Sequence, residues 1–450
     1  MHAARRRAAA LVLAALPAAA CASGGTRYDR LREDLARSEA AAPAQTDDVF
    51  RAMPVLEREA LVRAVLQRNP TLRSAQAAWR AALARYPQET SLADPMLGVD
   101  LGPRSFAASD VRDAWRADLA QEIPFPGKLS LRGDVALGEA DAAAGDFDAA
   151  RLELATMAST LFDDYVLAAR TLAVEEHHVA ILEELERSAT ARYESGIAGL
   201  AEPVQAAAEL AHRRHDRIRY ETELRTTAQQ MNLLLQRAPQ LPLPPPPGEL
   251  VAAAAPPEAE AEPDDRALVA QALAARPELR AARARVAAAD AAVELARREY
   301  FPDFTLTAGY DAFWQERPLQ PSVGVQVNLP LRTERRAAAV EEAEARRARA
   351  RSEEDAALVQ VRFSLANALE RLREARHVLH LQETQILPAA RDFVDAARIA
   401  LATGSGGFQT AIEAERGLRT AELDYEASKA DVSRRSAELA RALGRIPGLP

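Results

Sequence analysis

Sulfur and aromatic rings are scarce in this chain: its 450 residues include one cysteine, five methionines and only 5 % aromatic side chains. Soft metal ligands are therefore few, and an aromatic-rich enzyme core is not expected. No nucleophile elbow, phosphate-binding loop, HExxH or paired-carboxylate constellation occurs, so no enzyme is expected. Past the N-terminus no stretch reaches the roughly 18 continuous apolar residues of a transmembrane helix. Any part that crosses a membrane must do so as strands. Basic runs are always interleaved with acids and the net charge is −9, which argues against a nucleic-acid partner. What is abundant is Ala, Glu, Arg and Leu, a bias that suits long helices packed closely through small side chains.

The lone cysteine is informative by its place. The chain starts "MHAARRRAAALVLAALPAAAC", with Arg5–Arg7, an apolar run from Ala8 to Leu16, and small residues up to Cys21. That is a secretory signal with a charged start and a short apolar core. Small residues before a cysteine also resemble the bacterial lipobox, with Ala18 where Leu is commoner. The expectation is a lipoprotein signal at 1–20 and a lipidated segment at 21–56, with the lipid on Cys21 and no other cofactor. Removing 1–20 takes three arginines and no acid, shifting the charge from −9 to about −12. Ala22 after the cysteine resembles an outer-membrane sorting signal.

The rest is duplicated. "LVRAVLQRNPTLR" at Leu61–Arg73 matches "LVAQALAARPELR" at Leu268–Arg280, an offset of 207. "IPF" at Ile123–Phe125 matches "LPL" at Leu329–Leu331 (offset 206), and "YESGIAGL" at Tyr193–Leu200 matches "LATGSGGF" at Leu401–Phe408 (offset 208). Chance similarity between Ala-rich helices would not hold that spacing. The repeats are expected at 57–238 and 265–445, joined by a Pro/Ala/Glu-rich linker at 239–264. Each reads as a helix (near 57–86 and 265–299), two strands, a very long helix, a break, and a return helix. A helix of 65 residues is about 100 Å long, so such helices must pair lengthwise.

The strands are expected at about 95–103, 114–125, 303–313 and 322–331. In "SVGVQVNLPL", Val323, Val325, Val327 and Leu329 alternate with Gly324, Gln326 and Asn328, the period of two of a strand with one apolar and one polar face. Lengths of roughly 9–11 residues cross a bilayer when tilted. Four strands cannot close a barrel and lipid does not tolerate open edges. The wall is therefore expected to be shared between chains, twelve strands from three protomers. For the strand at 322–331 the expected partners are two neighbours in its own chain and an edge strand of another subunit.

This duplicated plan, the breaks "YESGIAGLAEPVQA" and "LATGSGGFQTAIEAERGL", and the proline of "QILPAA" resemble the outer-membrane efflux protein family, the TolC-like channels, over about residues 55–445. The resemblance implies a mainly α fold with a small β part: long helical hairpins forming a periplasmic α-barrel, and four strands per protomer completing a trimeric 12-stranded transmembrane β-barrel. It implies a homotrimeric exit duct in the bacterial outer membrane, lipid-anchored, with a large periplasmic part. The duct would conduct substrates passively in a tripartite efflux system with a periplasmic adaptor and an inner-membrane transporter. "QEIPFPGKL" at Gln121–Leu129 is similar to the branch serving heavy-metal and resistance-nodulation-division (RND) pumps. The two breaks become periplasmic hairpin tips, where Gly196, Gly199, Leu200, Gly404, Gly406, Gly407 and Phe408 would meet the adaptor. Aligned on Gly404, Thr410 and Glu413 fall at the family's usual acidic gate positions, with Glu202 as the match in the first half.

Two pairs, His212/His215 and His377/His380, are spaced to share a helix face, but no third ligand accompanies them and no metal site is expected. The alternatives are a periplasmic adaptor and a lipid-anchored coiled-coil scaffold without a pore. An adaptor carries one hairpin and much β structure; a scaffold has no use for paired amphipathic strands. A metal cation, a drug and a secreted peptide are all compatible substrates, and which inner-membrane pump feeds the duct is not written in the chain.

Overall fold

The computed structural model describes residues 22–40, 50, 53–107, 112–250, 265–314 and 316–449. The signal, Cys21 and the second part of the linker lie outside them. The first repeat begins with α2 (Arg58–Arg68), α3 (Pro70–Leu83) and α4 (Arg85–Thr90), preceded by α1 (Ala22–Ala40). Then come β1 (Met96–Leu101), β2 (Trp115–Ile123), α5 (Lys128–Glu194) and α6 (Ala201–Leu234). The second contains α7 (Asp265–Ala275), α8 (Pro277–Arg298), β3 (Phe304–Asp311), β4 (Pro321–Val327), α9 (Thr333–Leu381), α10 (Leu387–Thr403) and α11 (Phe408–Ala442).

The single helices expected at 57–86 and 265–299 are both broken, and at matching places. Pro70 and Pro277 push the residue before them out of the helical region. Asn69 is extended there; its side chain accepts from Thr71 N–H at 2.9 Å and donates to the Leu234 carbonyl at 3.2 Å. Arg276 likewise donates to the Arg441 carbonyl at 3.0 Å. Each repeat thus ties its first helix to the end of its return helix.

From the long hairpins onward the repeats keep an offset of 208. Gly196 and Gly404 have φ of 72° and 73°. Their followers donate N–H bonds of 2.9 Å to Arg192 and Ala400, the same left-handed helix stop twice. Thirty-eight residues further, α6 and α11 end alike, with Gln236 and Gly444 both at positive φ. One difference is a π-turn at Gln382–Ile386 between α9 and α10. Pro388 lacks the donor that a regular helix needs there, and the wider turn absorbs an extra residue instead of a sharp kink.

Two compact units emerge, and they are not the repeats. Of the described residues, one combines those up to Ala40 with those of Ser74–Phe147 and Glu278–Ala357; the other combines those of Ala41–Arg73, Asp148–Pro277 and Leu358–Pro450. The divisions cut through α3, α5 and α9 and fall at the first residue of α8. In the first unit, α5 meets α8 through small residues: a methyl built on Gly138 or Gly145 would stand 2.7 or 2.8 Å from Ala288 or Ala281. Here α1 buries Leu31 and Leu35, and Tyr28 stacks on Tyr86 at 4.8 Å.

In the second unit, Leu268, Val361, Leu365, Leu372, Leu439 and Leu443 form one core cluster. A second joins the two hairpins through Val179, Leu182, Leu210, Leu401, Phe408 and Ile412. The first part of the linker is packed: Tyr165 donates to the Pro244 carbonyl at 3.2 Å, and Leu56 N–H to that of Pro245 at 2.9 Å.

Candidate functional site: channel wall and entrance turns

The four strands form one antiparallel sheet in the order β1-β2-β3-β4. Its register puts Leu97 opposite Leu119, Leu119 opposite Ala308, and Ala308 opposite Val323. Directly paired residues share a face, so one side of the sheet carries Leu97, Val99, Leu101, Leu119, Leu306, Val323 and Val325. Most of it is exposed, Val325 by 60 %. Gln121 is the polar exception, and it donates to the carbonyls of Ala93 and Glu122 at 2.8 and 3.0 Å.

The other face bears Asp100, Arg116, Asp118, Glu122, Thr305, Thr307, Asp311 and Gln326. It holds four carboxylates to one guanidinium, Arg116, which reaches Asp100 at 3.0 Å and Asp118 at 3.4 Å. Asp118 stands between Gly98 and Gly309, where a methyl would approach it to 3.0 Å. The glycines leave room for a charged side chain on the polar face of the sheet.

Aromatic rings flank the apolar band: Trp115 stacks on Tyr310 at one end, Phe125 on Phe301 at the other. Such girdles mark the two interfaces of a membrane-spanning sheet.

The strands are shorter than expected, 6 to 9 residues. β4 stops at Val327 because β3 begins opposite it at Phe304, after Pro302. Asn328 N–H still bonds the Asp303 carbonyl at 3.0 Å, but Pro330 has no donor to continue. The expectation that this strand has two neighbours in its own chain is also corrected. Among the described residues β4 pairs only with β3 and is an edge, as β1 is.

Lys128 holds the joint below the sheet. It is 1 % exposed, and its Nζ donates to the Phe301 carbonyl at 3.0 Å and meets Asp303 at 2.9 Å and Glu299 at 3.2 Å. Asp303 also accepts from Phe125 N–H at 2.7 Å. This cluster fixes the end of β2 and the start of α5 against the start of β3. Sequence reasoning missed it, although a signal was present: Lys128 is one of only two lysines in the chain and follows Pro126-Gly127.

At the far end of the long helices the structure separates residues that the sequence treats as equivalent. Phe408 is 4 % exposed and belongs to the hairpin core, whereas its counterpart Leu200 is 58 % exposed. Gly196 and Gly404 need their positive φ; Gly199 and Gly407 have nothing within 4 Å of a built methyl. Gly406 lies so close to Ala400 that a methyl would stand 2.7 Å away. Gly404→Ala is expected to destabilise this turn by about 1–2 kcal/mol, while Gly407→Ala, at φ −87°, should be near neutral; thermal unfolding of the two variants checks this.

The acidic residues differ too. Glu202 is half-buried and faces Arg192 at 3.4 Å. Glu413 is exposed, accepts from Gln409 at 2.7 Å, and feels the charge of Arg416 three residues on. Thr410 is exposed beside it.

Behind these turns α11 is fastened to α5 and α6 by charge. Arg416 bonds Glu209 at 2.9 Å, and Arg419 reaches Glu175 at 2.6 Å and Asp216 at 3.3 Å. Arg213 lies 3.2 Å from Glu209 and 3.1 Å from Asp216. Three acids and three arginines balance in this cluster. Burial opposes ionisation of Glu209, but the Arg416 hydrogen bond and the charges of Arg213 and Arg416 outweigh it and hold its pKa low. Further along, buried His178 bonds Glu422 at 2.9 Å, and that bond lowers the pKa of Glu422. His212, His215, His377 and His380 are exposed, and among the described residues no three potential ligands gather to hold a metal.

The comparisons with known proteins bear on this arrangement. The profile of the outer membrane efflux protein family matches residues 61–236 and 268–445. The chain belongs to this family.

Among solved structures, the outer-membrane channel OprN aligns with a TM-score of 0.73 at 19 % identity, over 90 % of this chain and 97 % of that one. CusC, described for its folding and transmembrane channel formation, gives 0.73 at 16 %, over 90 % and 97 %. VceC from Vibrio cholerae gives 0.72 at 20 %, over 86 % and 96 %. No curated protein sequence matches the chain. The fold expected from the sequence, long helices with a small four-stranded sheet, is the fold of these channels. The chain is an outer-membrane efflux channel rather than an enzyme.

Proposed function

We propose that three copies form one continuous exit duct, with twelve strands closing a barrel in the outer membrane and the long hairpins forming a periplasmic tunnel. One observation carries this: among the described residues the sheet has an apolar face interrupted by Gln121, a charged opposite face, and two unpaired edges. Edges cannot face lipid, and β4 of one copy beside β1 of the next removes both. Cys21, one residue before α1, carries the lipid anchor, in keeping with the signal that precedes it. The domain plan is that of the two repeats, 57–238 and 265–445.

The hairpin turns dock a periplasmic adaptor, with Leu200 and the glycines of both turns as the contact. Phe408 serves the core behind them. An inner-membrane transporter, of RND type by the resemblance of Gln121–Leu129, supplies the energy and the substrate. Glu413, unlike Glu202, makes no close ion pair among the described residues. Three copies of it around the axis, with Thr410 beside each, form a ring that draws cations and resists anions.

Purified protein is expected to show trimer mass and to conduct ions in planar bilayers. Glu413→Gln should lower the cation-to-anion permeability ratio, while Glu202→Gln should leave it in place. A monomer without conductance would favour the scaffold, and an unchanged ratio in the Glu413 variant would remove the gate ring.

A further inference from the structure

Within one chain α11 is fastened to the first hairpin by a ladder of ion pairs. Arg434 meets Asp164 at 2.6 Å, Arg170 meets Glu426 at 3.1 Å, Arg419 meets Glu175 at 2.6 Å, and Arg416 bonds Glu209 at 2.9 Å. In each of these the cation is an arginine, which stays charged throughout the range in which proteins are folded. Among the described residues one rung is different. There the basic group is His178, whose Nε2 lies 2.9 Å from Glu422 Oε2. An imidazole gains and loses its charge near neutrality.

The duplication gives this rung no twin: moved by the offset of 208, His178 becomes Ile386 and Glu422 becomes Arg214. His178 is 2 % exposed and stands where the ladder gives way to the apolar core around Val179 and Leu182. Its ring lies 5.7 Å from that of exposed His177 on the same helix. Glu175, one turn earlier, is taken by Arg419, with Arg213 of α6 at 3.8 Å. Glu426, one turn beyond Glu422, is taken by Arg170 and by Lys429 at 2.8 Å. From α10 the charge of Arg391 acts on Glu422.

The two members of the rung divide the titration between them. The His178 hydrogen bond holds the pKa of Glu422 below the ordinary carboxylate value, against the effect of burial. Glu422 therefore stays an anion in mild acid, and the imidazole is the member that changes charge near neutrality. With the proton on, the contact is a charge-assisted hydrogen bond between ions in a site nearly closed to water. With the proton off, it is a bond from a neutral ring, and Arg391 is the permanent cation that still faces the carboxylate. The seam thus holds one more ion pair in mild acid than at alkaline pH.

We propose that His178 and Glu422 form a pH-sensitive clasp between the two hairpins: proton uptake tightens the hold of α11 on α5, and proton loss loosens α11 behind the entrance turn. The inference rests on the duct reading and adds a regulation of its entrance. Glu413 stands on α11 nine residues nearer the turn, about 13 Å along the helix. A looser α11 frees the side chain that would ring the axis. Clasping and proton binding favour each other, so the clasp acts fully in mild acid and is lost as pH rises through the imidazole range.

Thermal unfolding of the detergent-solubilised full chain at pH 5.5 and pH 8 tests the contact in the parent, His178→Gln and Glu422→Gln. The parent's lead over each variant is expected to be about 2 °C larger at pH 5.5 than at pH 8. The double variant should show no larger pH-dependent gap than either single one, and His177→Gln should behave as the parent does. A gap equal at both pH values, or one that His177→Gln reproduces, overturns the clasp. Bilayer recordings on the same proteins test the regulation. Parent conductance is expected to rise from pH 5.5 to pH 8, above the range of ordinary carboxylates, while His178→Gln stays at the higher level throughout. A parent that conducts equally at both pH values removes the regulation and leaves the duct. A protein that conducts at neither removes the duct, and unfolding still decides the clasp.

Discussion

Arg58→Met is expected to lower stability at neutral pH by about 3–5 kcal/mol, the usual cost of removing one partner from a buried ion pair. Arg58 stands at the start of α2 and ties three segments of the second unit together. Its guanidinium donates to Asp163 at 2.6 Å, to Ser433 Oγ at 3.0 Å, and to the hydroxyl and carbonyl of Ser159 at 2.9 and 3.2 Å. It also lies 4.7 Å over the Phe162 ring. The Asp163 side chain is fully buried, and its Oδ2 has no hydrogen-bond partner among the described residues. Without Arg58, Asp163 must keep a charge in an apolar site or take up a proton.

The pH dependence has a definite sign. Burial raises the pKa of Asp163 above the ordinary carboxylate value, against the pull of Arg58 and Ser433. A carboxyl raised in the folded state holds its proton better there than in the unfolded chain, so stability falls as pH rises through the folded pKa. Losing Arg58 removes the main opposing pull and widens that window upward. The gap between variant and parent is therefore expected to be largest at neutral pH and to narrow in mild acid. Thermal unfolding of the detergent-solubilised protein at several pH values measures it. Arg58→Met combined with Asp163→Leu should recover much of the loss, since replacing both partners by apolar groups leaves no buried charge. A gap independent of pH, or a double variant as unstable as the single, would assign Arg58 a packing role only.

Much of this molecule could be read from residue order because its signals are periodic. The strand faces followed from alternation, as in Ser322–Val327, and the register confirms one apolar and one polar side. The turn glycines followed from the break in helix pattern, and Gly196 and Gly404 do sit at positive φ. What stayed hidden depends on pairing at long range. Arg58 and Asp163 are 105 positions apart, and Arg416 and Glu209 are 207 apart; in a chain with so many arginines, nothing local singles them out. Strand ends were overestimated because alternation continues into Leu329 and Leu331 after the partner strand has run out. The inequivalence of Phe408 and Leu200 was invisible because a repeat shows what each position is, not which copy of the pattern finds a partner inside its own chain.

That same reading of faces leads to the second large effect. Val325→Arg is expected to block membrane assembly, whereas Gln326→Arg, one residue along, should assemble and conduct. Val325 lies opposite Leu306 in the middle of β4, on the apolar face. A cationic side chain on the lipid face near mid-bilayer costs about 2–4 kcal/mol, and a symmetric trimer carries the substitution three times. Gln326 pairs with Thr305 on the face that holds Asp118 and Glu122. An arginine there meets water and carboxylates, and its main consequence is a lower preference for cations. Heat-modifiable migration and outer-membrane fractionation report assembly, and bilayer recordings report selectivity. The contrast tests the wall itself: a one-residue step reverses the face of a strand, so equal tolerance at both positions would mean that neither side of this sheet meets lipid.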